Sequence, residues 1–128
     1  MITNTDVANI LVRDCKKFGV SVYQKGNIPD GELKKDRITI HVKKNTTGQI
    51  WNKGFVDINF STPDKQGIAN LIRLQEFEHM AIESLESVGE YNNSHYRYSI
   101  YSHGLEEDSS MKCHYINVRL LFEVLNVK

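Results

Sequence analysis

The sequence predicts a single α+β domain in which a mainly antiparallel sheet of about five strands carries two helices on one face. Three observations lead to this fold. The 128 residues are enough for one core and too few for two. Residues 54–88 form a strand followed by a long amphipathic helix. Further alternating segments lie on both sides of this unit. The expected order of elements is α-β-β-β-α-β-β, in one domain spanning residues 1–128.

The central unit begins with an alternating strand at 55–60, whose inward side chains are Val56, Ile58 and Phe60. Pro63 is expected to end this region because proline cannot donate to a ladder. From about 65 to 87 the apolar residues recur with a helical period, and Gly89 is the expected stop signal. The apolar stripe of the helix consists of Leu71, Leu74, Phe77, Ala81, Ile82, Leu85 and Val88.

The remaining elements follow from caps, turns and alternation. Thr5 or Asp6 is expected to cap a first helix, which Gly19 ends. Residues 90–93 are read as a connector and residues 103–111 as a polar, acidic loop, with 105–110 joining the last two strands as a hairpin. The other predicted strands are 20–24, 37–43, 96–102 and 113–125.

Charge and composition exclude several classes of protein. Sixteen basic residues balance sixteen acidic ones, which argues against a main role in gripping nucleic acid or an anionic membrane. No stretch approaches the length of a membrane span, and the first residues show no signal peptide. We therefore expect no membrane partner and no sequence-specific nucleic-acid binding. Cys15 and Cys113 are expected to be reduced thiols of a cytoplasmic protein.

With both helices on one side, the other face of the sheet is left bare. Its mixture of polar and aromatic side chains suits a face in water, and it equally suits a protein–protein interface. The side chains expected there are Tyr23, Thr39, His41, Lys43, Phe55, Asp57, Asn59, Arg97, Tyr101, Tyr115, Asn117 and Arg119.

Two features of the long helix could carry chemistry. Glu76, His79 and Glu83 share one helical face and could hold a metal, but a second such motif is lacking, so a solvated charged face is the favoured interpretation. Glu78 falls inside the apolar arc. It is either a tuned acid or inter-subunit ion pair, or, as favoured, a carboxylate that reaches water at the edge of the sheet.

His103 and His114 flank the last loop and could approach each other with Glu106, Glu107 or Asp108 in a weak metal or hydrolase site. Nothing in the sequence fixes that geometry. No nucleophile elbow, activated thiol or phosphate-cradling loop is recognisable. The expectation is a protein without enzymatic activity, with no catalytic residues, no cofactor and no bound metal.

The order of certain segments carries a resemblance. VYQKGNIP at 22–29 leads, after a polar gap, into DRITIHV at 36–42. GFVDINFSTPD at 54–64 leads into the helical IANLIRL at 68–74, and NVRLLFEV at 117–124 closes the pattern. Together these segments resemble the small neck and tail-completion proteins of tailed phages and prophage-like elements, the tail-terminator type in particular.

The resemblance implies a structural virion protein, present in the host cytoplasm during assembly. Its subunits would form a homo-oligomeric ring that caps the tail tube protein and meets the head–tail connector protein. The alternatives are a head–tail adaptor of the neck, a small metal-dependent hydrolase using His103 and His114, and a monomeric binding module of a mobile element. The residues expected at a subunit interface are Tyr23, Phe55, Tyr101, Tyr115 and Arg119, with Trp51 either anchoring a loop or docking on a partner.

Overall fold

The structure, a computed structural model, describes residues 1–43 and 51–125. It confirms an α+β fold with two helices, and its curled sheet has six strands where the sequence predicted about five. The helices are α1, Asn4–Cys15, which a 3-10 turn at Lys16–Phe18 continues, and α2, Leu71–Ser84. The strands are β1 Ser21–Gln24, β2 Arg37–Val42, β3 Lys53–Pro63, β4 Ser87–Tyr91, β5 Ser94–Asp108 and β6 Cys113–Val124.

The strands lie in the spatial order β1-β2-β3-β6-β5-β4. Every neighbouring pair is antiparallel except β1 and β2, which are parallel, so the sheet is mixed. The long strands β3, β6 and β5 form its centre, and the short strands β1 and β4 lie at opposite edges. No helix in the described part of the chain is long and apolar enough to span a membrane.

Both helices pack on one side of the sheet, called here the covered face. Phe60 of β3 links them, since its ring centroid lies 5.3 Å from that of Phe18 and 5.6 Å from that of Phe77. Of the strand residues that alternation predicts to point inward on β2, β3 and β6, Val42 and Val124 are half-buried and the others are buried. The buried ones are Ile38, Ile40, Val56, Ile58, Phe60, Ile116, Val118, Leu120 and Phe122.

Helix α1 begins earlier than expected. Thr3, and not Thr5 or Asp6, is the N-cap, and its hydroxyl accepts from the backbone N–H of Asp6, whose carboxylate accepts from the N–H of Thr3. This reciprocal capping box satisfies two N–H groups that no helical carbonyl can reach. At the other end Gly19 adopts φ 76°, the left-handed conformation that terminates helices, as predicted.

Helix α2 begins at Leu71 and not near residue 65. Lys65 and Ile68 exchange backbone hydrogen bonds in a tight turn, and Asn70 then caps the helix by accepting from the N–H of Arg73. Only part of the predicted stripe is core. Leu74, Phe77, Ala81 and Leu85 are buried, whereas Leu71, Ile82 and Val88 are exposed.

Strand β4 was missed because its sequence continued the helical pattern. Val88 was assigned to the helix and 90–93 to a connector, yet Ser87–Tyr91 pairs with β5. Asn92 and Asn93 join the two strands with positive φ angles of 50° and 63°, as a two-residue hairpin turn requires. Gly89 is needed on β4 because a side chain there would collide with the Tyr96 ring.

Strands β3 and β5 are longer than predicted. β3 continues through Pro63, and β5 continues through Asp108, so most of the predicted loop at 103–111 is strand. The hairpin turn is confined to 109–112, where Lys112 adopts φ 53°. A bulge at Tyr101 shifts the pairing of β5 with β6 between Ile100 and Ser102, which hides the alternation in the sequence.

The sequence also predicts that two polar, glycine-containing loops, 26–36 and 45–51, are mobile until a neighbour orders them. Most of the predicted turn at 45–51 lies outside the described residues. The loop 26–36 is attached to the domain at its far end, where the N–H of Leu33 donates to the carbonyl of Met111 at 3.0 Å. Leu33 is buried there.

Candidate functional site

The candidate site is the open face, the side of the sheet opposite the helices. The strand register places residues of the predicted bare face in two rows across three strands, Thr39–Asn59–Asn117 and His41–Asp57–Arg119. Most of these side chains are half-buried, because they pack beside one another on a curled sheet. The open face is therefore an ordered layer of side chains.

An ion pair forms the centre of the open face. Arg119 of β6 donates from Nε and Nη2 to the two carboxylate oxygens of Asp57 on β3, at 3.0 and 3.3 Å. Lys43 Nζ lies 3.3 Å from the second oxygen. Asp57 is 8% exposed, so its charge depends on these partners. Two arms of a guanidinium on one carboxylate also fix the orientation of Arg119.

The environment of Asp57 changes its acidity. Burial is the largest single influence and would raise the pKa of Asp57, but the hydrogen bonds and charges of Arg119 and Lys43 together outweigh it, so the pKa is lowered. Burial lowers the pKa of the neighbouring His41, and Lys43 acts in the same direction. The open face at neutral pH thus holds an ionised Asp57 beside a neutral His41.

Aromatic rings extend this layer towards β5. The centroids of Phe55 and Tyr101 lie 4.7 Å apart, and the guanidinium of Arg119 lies 5.5 Å from the Phe55 centroid. Tyr101 lies on this face at the bulge of β5, where 64% of it is exposed. Tyr115 lies on the same face beside Ser61, and burial, followed by the charge of Glu106, raises its pKa.

Four of the six predicted interface residues therefore belong to one surface, namely Phe55, Tyr101, Tyr115 and Arg119. Tyr23 lies apart from them on β1, at the edge of the sheet. Trp51 lies in the core, with its Nε1 donating to the carbonyl of Phe122 at 2.9 Å. Of the two roles foreseen for Trp51, this position suits the anchor of a loop and leaves no surface for a partner.

The two histidines that flank the last hairpin do not come together. His103 pairs with Glu78 of α2 at 2.8 Å, whereas His114 lies between Asp64 at 2.7 Å and Glu107 at 3.2 Å. The register separates them by four residues along β5. Within 1–43 and 51–125 no group of three or more histidine, cysteine, aspartate or glutamate side chains is arranged to hold a metal.

The acidic residues of α2 are at the surface or paired. Glu76, His79 and Glu83 are exposed, and Glu76 accepts from Arg73 at 2.9 Å. The carboxylate of Glu78 is one-third exposed and reaches the edge of the sheet at His103. The two thiols are free and buried, and burial raises the pKa of Cys15 to about 12 and that of Cys113 to about 11. Neither thiol is an activated nucleophile.

Sequence reasoning missed the polar contacts that join the layers. Asp36 accepts from Thr62 of β3 at 2.6 Å and from Arg73 of α2 at 2.8 Å, so the end of the 26–36 loop is attached to both. On α1, Asp14 accepts from the hydroxyl of Tyr98 at 2.7 Å. The partners are 26 to 84 residues apart, and no local pattern indicates such pairs. For Asp57 and Arg119 a signal existed, since both were assigned to one face.

Comparisons with known proteins identify the fold only. No family model matches the chain, and no curated protein matches it. One solved structure aligns over 95% of this chain and 95% of its own, with a TM-score of 0.55 and 10% sequence identity. The name of that protein is a sequence label without functional words, so the likeness concerns the arrangement of helices and strands alone.

Proposed function

We propose that this protein is a non-enzymatic structural subunit of a phage or prophage-like particle, the tail-terminator subunit that forms a ring at the head-proximal end of the tail tube. One observation carries the proposal. Both helices lie on the same face of the sheet, and the opposite face presents a broad ordered layer of aromatic, arginine and amide side chains. A layer of this composition resembles the contact surfaces of assembled proteins.

The geometry of the open face favours contact with another protein over catalysis. Arg119 is held by Asp57, and Asn117 donates to Asn59 at 2.8 Å, so these side chains lose little freedom when a partner covers them. Tyr101 projects from this fixed surface as an exposed aromatic ring. Tyrosine and arginine are the residue types that contribute most to binding energy at interfaces.

Two alternative functions, a head–tail adaptor and a metal-dependent hydrolase, make different demands on the structure. A head–tail adaptor would use the same surface but would associate with the connector and not with the tail tube. A metal-dependent hydrolase would require His103 and His114 to share a site, and they bind separate carboxylates.

The test is to mix the purified protein with phage tail tubes and to follow multimers by light scattering and cross-linking. The wild-type protein is expected to form closed multimers on tubes. Tyr101→Asp is expected to abolish them, because it places a charge on the exposed ring position of the open face. Ile72→Asp is the matched control, since it adds the same charge at an exposed site of α2 on the other side of the molecule.

The outcomes separate the proposals. Normal assembly of Tyr101→Asp would exclude the open face as the interface. Association with connector protein alone would favour the adaptor. If neither tube nor connector produced multimers of the wild-type protein, the structural role in the neck would be wrong.

A further inference from the structure

Strand β5 has an edge that is only partly covered. β4 pairs with Ser94–Tyr98 alone, while β6 pairs with β5 as far as Asp108. From residue 99 to 108 no strand of the described chain lies on the outer side of β5. Unpaired backbone groups along an edge of this length are a template for another strand.

β1 forms the opposite edge of the sheet, and it lies in the same rows of paired residues as residues 103–106 of β5. The register runs in continuous rows from one edge to the other, and each row crosses the sheet roughly perpendicular to the strands. Val22 pairs with Ile38, which pairs with Phe60, then with Ile116 and finally with Leu105. In the same way Ser21 shares a row with Glu106, Tyr23 with Gly104 and Gln24 with His103.

The shared rows determine which edges can meet when copies of the chain form a ring. A closed ring is generated by rotation without translation along its axis, so surfaces that meet must lie at the same height on that axis. When the rows of one sheet continue into the sheet of the next copy, β1 of one copy arrives beside 103–106 of the next. The pairings make β1 and β5 run in opposite directions, and a contact that continues the sheet into the next copy keeps these strand directions. The two edges therefore meet antiparallel.

We propose that the open edge of β5, residues 103–106, receives β1 of a second copy of this chain, so that the sheets of neighbouring subunits join head to tail around a ring. The proposal rests on the ring formation described above and adds its subunit contact. The occupant is a second copy because the two edges of one sheet match in level, in direction and in side chains.

The side chains along the two edges are complementary. Leu105 is 50% exposed on the helix side of the sheet, where Val22 of the neighbouring copy would cover it. On the other side Gly104 leaves open space that the Tyr23 ring can occupy.

The outer edge of β4 does not meet this condition. Ser87 pairs with Tyr98, which continues the row of Phe122 and Gly54. β1 lies in the rows of Ile58 to Ser61, four or more residues further along β3. This offset is roughly 14 Å at about 3.4 Å per residue, so rows that continue from one copy to the next do not bring β1 to the β4 edge.

The joint between subunits is expected to be short. Asn27 occupies the outward groups of Gln24, since its side chain accepts from the Gln24 N–H at 3.0 Å and its own N–H donates to the Gln24 carbonyl at 3.1 Å. Only 21–23 remain open for pairing. A contact of this size is weak between two free subunits and accumulates around a closed ring, so rings should form on a template and not in dilute solution.

Engineered disulfides test the contact. The double variant Val22→Cys with Leu105→Cys is expected to give a ladder of covalent multimers when oxidised on tail tubes. The two positions are four strand spacings apart within one subunit, roughly 19 Å, so they cannot bridge internally. Tyr23→Cys with Gly104→Cys probes the adjacent row, whose side chains lie on the other face, and guards against a defect of the first pair. Val22→Cys with Val88→Cys is the matched control at the β4 edge.

Each result has one meaning. A ladder from either edge pair, absent from the control and from each single variant, supports the proposal. Dimers from Leu105→Cys alone would show two β5 edges pairing with each other and would overturn it, as would a ladder from the Val88 control. If the wild-type protein forms multimers on tubes but neither cysteine pair cross-links, the proposed ring stands and this contact is refuted. An absence of all multimers would refute both.

Discussion

The two faces of β3 and β6 differ sharply, although the same two strands build both with alternate residues. On the covered face Val56, Ile58 and Phe60 are completely buried beneath the helices. On the open face Phe55, Asp57 and Asn59 alternate with them and contact Tyr101, Arg119 and Asn117. The first set excludes water through apolar packing, and the second is held by directed polar and ring contacts.

This difference separates the residues that stabilise the fold from the residues that are available for contact with a partner. Apolar burial is non-directional and scales with area, so the covered face carries most of the folding energy. The open-face contacts contribute less, because each hydrogen bond replaces one with water. A change to the covered face should therefore alter the free energy of unfolding, and a change at the outside of the open face should alter association.

The largest effect is expected from Phe60→Ala. Its ring contacts both Phe18 and Phe77, so truncation leaves a cavity between the sheet and the two helices. We expect a loss of about 3–5 kcal/mol in the free energy of unfolding, measured by urea denaturation. Phe55→Ala on the open face is the matched control and should cost much less. Equal losses at the two positions would contradict the division into a core face and a contact face.

A smaller effect, and one that depends on pH, is expected from Asp57→Asn. The folded pKa of Asp57 lies below its ordinary value of 3.8, so its contribution to stability is fully present above that value and is lost as the pH falls through the folded pKa. At pH 7 the variant should lose about 1–2 kcal/mol, because Arg119 and Lys43 lose a charged partner. Unfolding curves at pH 7 and pH 2.5 measure this.

The difference between the two proteins should narrow at the lower pH, because the wild-type carboxyl loses its charge as the pH falls through its folded pKa. A constant difference across this range would mean that the ion pair contributes nothing and that the amide perturbs packing instead.

Alternation predicted the faces well because it depends on a local period. The buried set on β2, β3 and β6 and the polar set opposite it were both readable from the sequence. The same reasoning failed where two patterns overlap. Val88 continues the helical stripe of α2, yet Leu85 already ends that helix as its C-cap, and the chain turns into β4. Only pairing with β5, a tertiary contact, decides this assignment.

The candidate site was predictable as a composition and not as a geometry. Phe55, Tyr101, Tyr115 and Arg119 were assigned to one face, but neither the bulge at Tyr101 nor the ring contact between Tyr101 and Phe55 has a signature in the sequence. The segment 103–111 was interpreted as a loop because it is polar and acidic. Such a composition is also typical of an edge strand that avoids unwanted pairing.

The smallest effect on stability is expected from Leu105→Lys, and this variant separates face from edge. Leu105 points to the helix side of the sheet, in the row of Phe60, so its face alone would predict a core residue. It is nevertheless half-exposed, because it lies on the open edge of β5. We expect the free energy of unfolding to change by less than about 0.5 kcal/mol. Multimers on tail tubes should be lost, because the lysine would have to be buried against Val22 of the neighbour. Val88→Lys, an equivalent change on the exposed strand β4, should leave both stability and assembly unchanged. A stability loss of several kcal/mol for Leu105→Lys would mean that α2 covers this residue. Intact assembly of Leu105→Lys on tail tubes would show that the open edge of β5 is not part of the interface.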